Sequence, residues 1–207
     1  MNAMDPRRTV PLSRHPLFWS LAALGCSLDL WSKHWMFTRP ELLAGDVWWL
    51  WPGHLGFQLS LNEGALFGLG QGRVWIFATF AAAAAIAIPI WLFLLGAARD
   101  RALTATLGCI MGGVLGNLYD RTGFPGLDWG ALRPDRQGEH VYAVRDFVLA
   151  AWNWDADWQN RVVWPNFNLA DSLLVCGAAS LLLLSMRRLP NEASGIEPLP
   201  PAEKPIR

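Results

Sequence analysis

The chain has 207 residues, of which 53% are hydrophobic and 16% are charged. Its mean hydropathy of +0.22 is high for a soluble domain and indicates residence in a membrane. Its 17 basic residues balance 17 acidic ones, so the chain lacks the basic excess of nucleic-acid-binding proteins and we expect no nucleic-acid partner.

Four apolar stretches are long enough to cross a bilayer as helices, which takes about 20 residues. They run roughly from 16 to 37, 73 to 95, 101 to 119 and 167 to 186. Tryptophans cluster between and at the edges of these stretches, as is typical of the headgroup level of a membrane. The sequence therefore predicts an all-α membrane protein with four transmembrane helices.

The basic residues near the ends of these stretches indicate an orientation. An even number of spans puts both termini on the same side, and that side carries Arg7, Arg8, Arg14, Arg99, Arg101, Arg187 and Arg188. The positive-inside rule makes it cytoplasmic. Residues 38–72 and 122–166 then face outward as extended loops. Arginines in the second loop reduce the difference in basic residues between the two sides.

Within the first outward segment, a short stretch has the alternation of a β-strand. Phe57, Leu59 and Leu61 alternate with Gln58 and Ser60, and glycines follow. This pattern predicts a small strand or platform lying on the membrane surface.

We assign residues 1–189 to a single membrane-embedded domain. The remaining residues, 190–207, are rich in proline and are predicted to be a disordered cytoplasmic tail.

The N-terminus also permits another interpretation. Basic residues, an apolar run and Ala-Leu-Gly-Cys at 23–26 resemble a secretory signal that ends in a lipidated cysteine. We favour an uncleaved span, because apolar residues resume beyond Cys26 and further spans follow. Cys109 and Cys176 also lie in apolar stretches, and the three cysteines show neither a disulfide framework nor zinc spacing.

Charges and glycines within the spans suggest how helices pack. Asp29 and Lys33 are four residues apart, so they share a helix face, and the favoured interpretation is a structural ion pair. Gly108, Gly112 and Gly116 recur every four residues and predict a smooth face for close approach of another helix.

Polar residues at the outer rim are candidates for binding. Asn117, Asp120 and Arg121 follow the glycines at helical spacing, and Arg121 is suited to a lipid phosphate or a carboxylate. Asn62 and Gly64 either form a turn or hold the backbone of an extended peptide, and the residues alone leave both alternatives open.

Asp146 and Asp171 are the strongest candidates for chemistry, because both lie among apolar residues. If two such carboxyl groups meet, they can share one proton, so that one acts as a base and the other as an acid. That pair can activate water for attack on a peptide carbonyl. A proton relay or ion site would use similar residues, so a small transporter or proton-conducting protein is the alternative.

Other hydrolytic mechanisms lack their motifs. The four histidines form no His-Glu-x-x-His pair, and no Gly-x-Ser-x-Gly sequence is present. We therefore predict neither a metal ion nor any other cofactor.

Five motifs, taken together, resemble those of the lipoprotein signal peptidases (signal peptidase II), the aspartic endopeptidases of bacterial lipoprotein maturation. They occur in the family's order. They are Asp29-x-x-x-Lys33, Asn62-x-Gly64-x-x-Phe67-Gly68, Gly112-Gly-x-x-Gly-Asn-x-x-Asp-Arg121, Val144-x-Asp-Phe147 and Phe167-Asn-x-Ala-Asp-Ser172.

The resemblance implies a fold and an activity. The fold would have four transmembrane helices in the bacterial inner membrane, both termini in the cytoplasm and a small periplasmic β-cradle around Asn62. The catalytic dyad would be Asp146 and Asp171, facing the periplasm. The substrate would be a prolipoprotein whose cysteine carries diacylglycerol, and cleavage would occur just before that cysteine.

The resemblance also implies supporting residues and partners. The substrate-binding positions would be Asn62, Gly64, Asn117, Arg121 and Asn168. Asp29, Lys33, Asp120 and Ala170 would support the site. Membrane lipids would surround a monomer, and globomycin, a cyclic peptide inhibitor, would block it.

The chain departs from the family pattern in three places. Residues 122–145 and 148–166 are longer than the usual links, and they lie where they can alter substrate access. Leu66 replaces the usual alanine in the glycine-rich loop.

Overall fold

The computed structural model describes residues 9–64, 70–152 and 162–186. Leu66 and the predicted tail 190–207 lie outside the described residues. The helices are α1 (Arg14–Met36), α2 (Pro40–Leu43), α3 (Val74–Pro89), α4 (Arg101–Arg121) and α5 (Leu169–Met186). The strands are β1 (Trp48–Trp51), β2 (Leu55–Asn62), β3 (Val144–Trp152) and β4 (Val162–Phe167).

All four predicted apolar stretches are helical. In the described part of the chain, three helices are long and apolar enough to cross a membrane: Val74–Leu94, Arg101–Arg121 and Leu169–Met186. The first of these continues α3 through a π-helical turn, Ile90–Leu94, which follows the helix-interior Pro89. The predicted start of the fourth stretch was wrong by two residues, because Phe167 ends β4 and α5 begins at Leu169.

The four strands form one antiparallel sheet in the order β1-β2-β3-β4. The strand predicted around Leu59 is confirmed as β2, which pairs with β3 so that Ser60 lies opposite Asp146. The prediction of a mostly helical fold with a small sheet is confirmed, but Val144–Trp152 and Val162–Phe167, which were predicted to be loop, are strands. Strand β3 is buried along most of its length, so it lacks the alternation by which half-buried strands are recognised.

The first inserted segment, residues 122–143, is also more ordered than a loop. It contains two 3-10 turns, Trp129–Ala131 and Pro134–Arg136. Trp129, Val141 and Ala143 form a small core beneath it, against which Leu61 of β2 packs. Hydrophobic contact with the sheet therefore holds the segment as a folded unit.

Helix α4 lies against both α1 and α5 through its glycines. A Cβ atom at Gly108 would be 2.9 Å from the Phe18 carbonyl oxygen on α1, and one at Gly113 would be 2.6 Å from the Ala170 carbonyl oxygen on α5. The predicted glycine face is thus the contact between α4 and α1, and Gly113 provides a second contact on another side of the same helix. Both contacts exclude side chains larger than hydrogen.

Replacing Gly113 with alanine should destabilise the protein by about 1–3 kcal/mol, because the added methyl group must push α5 away from α4. The apparent midpoint of thermal unfolding in detergent measures this. Ala102→Val is the matched control, since Ala102 is exposed on the same helix and its larger addition should leave the midpoint unchanged. Equal midpoints for both variants would contradict the close contact at Gly113.

Candidate active site

A buried lysine connects two helices at the base of the site. The Lys33 Nζ atom lies 2.7 Å from Asp29 Oδ2 and 3.0 Å from Asp120 Oδ2, and it donates a hydrogen bond to Asn117 Oδ1 at 2.9 Å. The ammonium group thus lies between two carboxylates and one amide oxygen. The ion pair expected between Asp29 and Lys33 is present, and Asp120 joins it from α4.

Asp120 has a second cationic partner, Arg145 on β3. Arg145 Nη2 lies 2.7 Å from Asp120 Oδ1, and the Arg145 backbone N–H donates to Asp120 Oδ2 at 3.1 Å. Alternating charges therefore run from Asp29 through Lys33 and Asp120 to Arg145. The four side chains are buried, and two positive charges balance two negative ones, which is the condition under which buried charges are tolerated.

Sequence reasoning did not find this role of Arg145. The sequence could have indicated it, because Arg145 and Asp146 are consecutive, and consecutive residues on a strand point to opposite faces of the sheet. Arg145 and Asp146 must therefore face different surroundings. Arg145 faces α4, whereas Asp146 faces Asn62 and Asn168.

The start of α5 places Asp171. The Asp171 backbone N–H donates to Asn168 Oδ1, and the Asn168 backbone N–H donates to Asp171 Oδ2, both at 3.0 Å. This reciprocal pair is a capping box in which Asn168 is the N-cap and Asp171 is the third helical residue. A negative charge is favoured in this first turn. The backbone N–H of Ala170 donates to Asp29 Oδ1 at 2.9 Å and ties α5 to α1.

Asn168 contacts both candidate catalytic carboxylates. Its Nδ2 atom donates to Asp146 Oδ1 at 2.6 Å, while its backbone N–H holds Asp171 as described above. Asn117 Nδ2 donates to the other oxygen of Asp171 at 2.8 Å, and Asn62 Nδ2 donates to the other oxygen of Asp146 at 3.2 Å. The structure therefore brings together an aspartate of β3 and an aspartate of α5 around one asparagine.

Asp146 is 2% exposed. Burial and, after it, the neighbouring charge of Asp171 raise the pKa of Asp146 to about 8, although hydrogen bonds from Asn168 and Asn62 act in the opposite direction. The pair of aspartates therefore keeps one proton to a higher pH than separate aspartates would.

An open cavity of about 310 Å³ lies beside these carboxylates. It is lined by Asn62, Gly64, Asn117, Arg121, Val144, Pro165, Asn166, Phe167, Asp171, Leu174 and Val175. Four of the five predicted substrate-binding residues are thus at the cavity wall. Asn168 is fully buried behind them. Among the described residues, no three His, Cys, Asp or Glu side chains form a group that could hold a metal ion.

Asn62 and Gly64 form a turn, one of the two alternatives left by the sequence, and this turn also lines the cavity. The Gly64 backbone N–H donates to Asn62 Oδ1 at 3.0 Å, which is an Asx turn. Arg121 Nη2 donates to the Gly64 carbonyl oxygen at 3.1 Å, and its guanidinium carbon lies 5.5 Å from the centroid of the Phe77 ring. Arg121 therefore joins α4 to the end of β2.

Two aspartates held by one asparagine, beside a cavity between membrane-length helices, are typical of an aspartic hydrolase embedded in a membrane. The sequence model of the family described as "Signal peptidase (SPase) II" matches residues 21–187 of the chain. The chain therefore belongs to the signal peptidase II family.

Known proteins similar to this chain agree with that family. A lipoprotein signal peptidase of Rhodopirellula baltica is 46% identical over 177 residues, covering 84% of this chain and 74% of the relative. One from Methylorubrum extorquens is 32% identical and covers 81% of this chain and 84% of the relative. A bacterial membrane enzyme solved by the in meso method at 2.3 Å resolution matches with a TM-score of 0.61 at 20% identity, over 89% of this chain and 94% of that one. This last likeness concerns the fold.

Replacing Lys33 with methionine should destabilise the protein by about 3–5 kcal/mol, because Asp29 and Asp120 lose their shared cation in a buried place. The apparent unfolding midpoint in detergent again measures the effect. Arg133→Met is the control: Arg133 pairs with Asp135 at 2.9 Å, but both side chains are more than half exposed, so we expect no measurable change. A Lys33 variant as stable as this control would refute the role given to the buried lysine.

Proposed function

We propose that the chain is an intramembrane aspartic endopeptidase that removes the signal peptide from prolipoproteins whose cysteine already carries diacylglycerol. The bond cleaved is the peptide bond just before that cysteine. Membership of the signal peptidase II family supports the activity. The contact of Asn168 with both Asp146 and Asp171 is the observation that supports an aspartic mechanism.

The surroundings of the two aspartates suggest different roles for them. Asp146 lies on a buried strand, where its raised pKa favours the protonated form, so we assign it as the acid. Asp171 lies in the first turn of α5, where the helix dipole favours a negative charge, and we assign it as the base.

These roles define a reaction without a covalent intermediate. Asp171 takes a proton from water as the water oxygen attacks the peptide carbonyl carbon, and Asp146 gives its proton to the carbonyl oxygen. When the tetrahedral intermediate collapses, the carbon–nitrogen bond breaks and the leaving amine takes the proton held by Asp171. The carbonyl oxygen returns its proton to Asp146, and the dyad regains its starting state.

The cavity supplies positions for the substrate. Gly64 and Asn117 line the wall along which an extended peptide would lie, and Leu174 and Val175 offer apolar surface for lipid chains. Arg121 is placed to hold polar groups of the lipid-modified cysteine. A cyclic peptide of the globomycin type would compete for the same cavity.

We propose four transmembrane helices with both termini in the cytoplasm and the dyad toward the periplasmic face of the bacterial inner membrane. Helix α1 would be the fourth span in addition to the three apolar ones. It is 23 residues long, and its charged residues Asp29 and Lys33 are paired with each other, which lowers the cost of placing them in a membrane. The protein would act as a monomer.

The alternative of a transporter or proton-conducting protein is not favoured. The similar proteins are named as signal peptidases. Two of the charged residues on which a relay would depend, Asp29 and Lys33, are also held in a buried ion pair that Asp120 joins.

Asp146→Asn and Asp171→Asn should each reduce cleavage by about four orders of magnitude or more, because removing one member of a catalytic unit costs nearly as much as removing all of it. The assay incubates the purified protein with a diacylglyceryl-modified prolipoprotein and follows the mass of the product. Asp135→Asn is the control and should cleave normally, since Asp135 is an exposed residue of the inserted segment. Substantial cleavage by either dyad variant would exclude the dyad.

The reaction should also depend on pH in a defined direction. Asp146 must carry its proton to act as the acid, and its pKa is about 8, so kcat/KM should fall as the pH rises through that value. The expected slope is about tenfold per pH unit above it. Initial rates at low substrate concentration measure kcat/KM, and a thermal unfolding scan at each pH separates titration from unfolding. A flat profile to pH values well above 8 would argue against a protonated Asp146.

A further inference from the structure

Three consecutive residues at the end of β2 are each held by a different side chain. Asn62 donates to Asp146, and Gly64 accepts from Arg121. Glu63, between them, accepts from both Nη1 and Nη2 of Arg136, each at 3.3 Å. The first two partners belong to the site, whereas Arg136 belongs to the inserted segment 122–143.

Arg136 is itself fixed by its own segment. Its guanidinium carbon lies 3.9 Å from the centroid of the Trp129 ring. Trp129 is buried in the small core of the segment and donates its backbone N–H to the Glu139 carbonyl oxygen at 2.9 Å. Arg136 therefore reaches Glu63 from a rigid support.

Glu63 and Arg136 also line a cleft of about 510 Å³, whose other wall includes Trp75 and Arg121. Because Arg121 lines both this cleft and the cavity beside the dyad, the two spaces are neighbours. The Glu63–Arg136 ion pair thus lies next to the region through which a substrate would approach the carboxylates.

We propose that Arg136 is a positioning residue, and that the inserted segment 122–143 braces the Asn62–Gly64 turn over the catalytic aspartates through the Glu63–Arg136 ion pair. The brace rests on the proposed function, because the turn it holds is part of the proposed substrate site. Without the ion pair, the turn keeps its bonds to Asp146 and Arg121 but loses the support between them. Substrate then binds a less ordered turn.

Glu63→Gln and Arg136→Gln test the brace, with Glu139→Gln as the matched control. Glu139 pairs with the same arginine at 2.8 Å, but it belongs to the inserted segment and does not touch the turn. We expect KM for the lipid-modified prolipoprotein to rise about two- to fivefold in the first two variants with kcat retained, since a half-buried ion pair contributes modestly. Glu139→Gln should keep the original KM.

Two further variants separate positioning from general stability. Arg136→Lys keeps the positive charge and should recover part of the lost affinity. The double variant Glu63→Gln/Arg136→Gln should raise KM no further than either single change, because both remove the same contact. Equal KM values for Glu63→Gln and Glu139→Gln, or additive effects in the double variant, would overturn the brace.

Amide hydrogen exchange distinguishes failure of the brace from failure of the proposed function. Exchange at residues 62–64 should be faster in Glu63→Gln than in Glu139→Gln, because local order in the turn decreases. A chain that cleaves no prolipoprotein but shows this difference contradicts the proposed function and leaves the brace supported. Cleavage with the same exchange in both variants contradicts the brace alone.

Discussion

The ammonium group of Lys33 is the interaction on which the rest of the structure depends. It forms ion pairs with Asp29 on the same helix and with Asp120 on α4, and it donates a hydrogen bond to Asn117 on α4. Through Asp120 it is connected to Arg145, next to Asp146, and through Asn117 to Asp171. The position of each aspartate is therefore linked to one buried cation. Low-dielectric surroundings make this linkage stiff, because each unpaired charge would be costly there.

Local features of this arrangement could be predicted from the sequence. The Asp29–Lys33 pair follows from helical spacing, and the four-residue spacing of the glycines in α4 is enough to indicate a close helix contact. The partners of Asp120 could not be predicted in the same way, because they depend on how α1, α4 and β3 meet. The motif resemblance named both aspartates, but the bridging amide of Asn168 depends on the three-dimensional meeting of β3 and α5.

The outer part of the chain was harder to predict, for a physical reason. Strand β3 is buried on both faces, so its hydrophobic residues do not alternate, and the sequence resembled loop. The inserted segment obtains its order from a few aromatic and charged contacts around Trp129 rather than from a periodic pattern. Such contacts join residues that are not neighbours in sequence. Composition alone therefore indicated an extended loop where a folded unit exists.

The location of Asp171 has a consequence for the synthesis of the protein. The proposed catalytic pair draws one member from β3 and the other from α5, the last helix in the described chain. On this proposal, Asp146 lacks its catalytic partner and the cavity lacks one wall until the ribosome has made α5 and α5 has folded against α4. A partly synthesised chain would then be unable to cut other membrane proteins, and proteolytic activity would begin only with completed assembly.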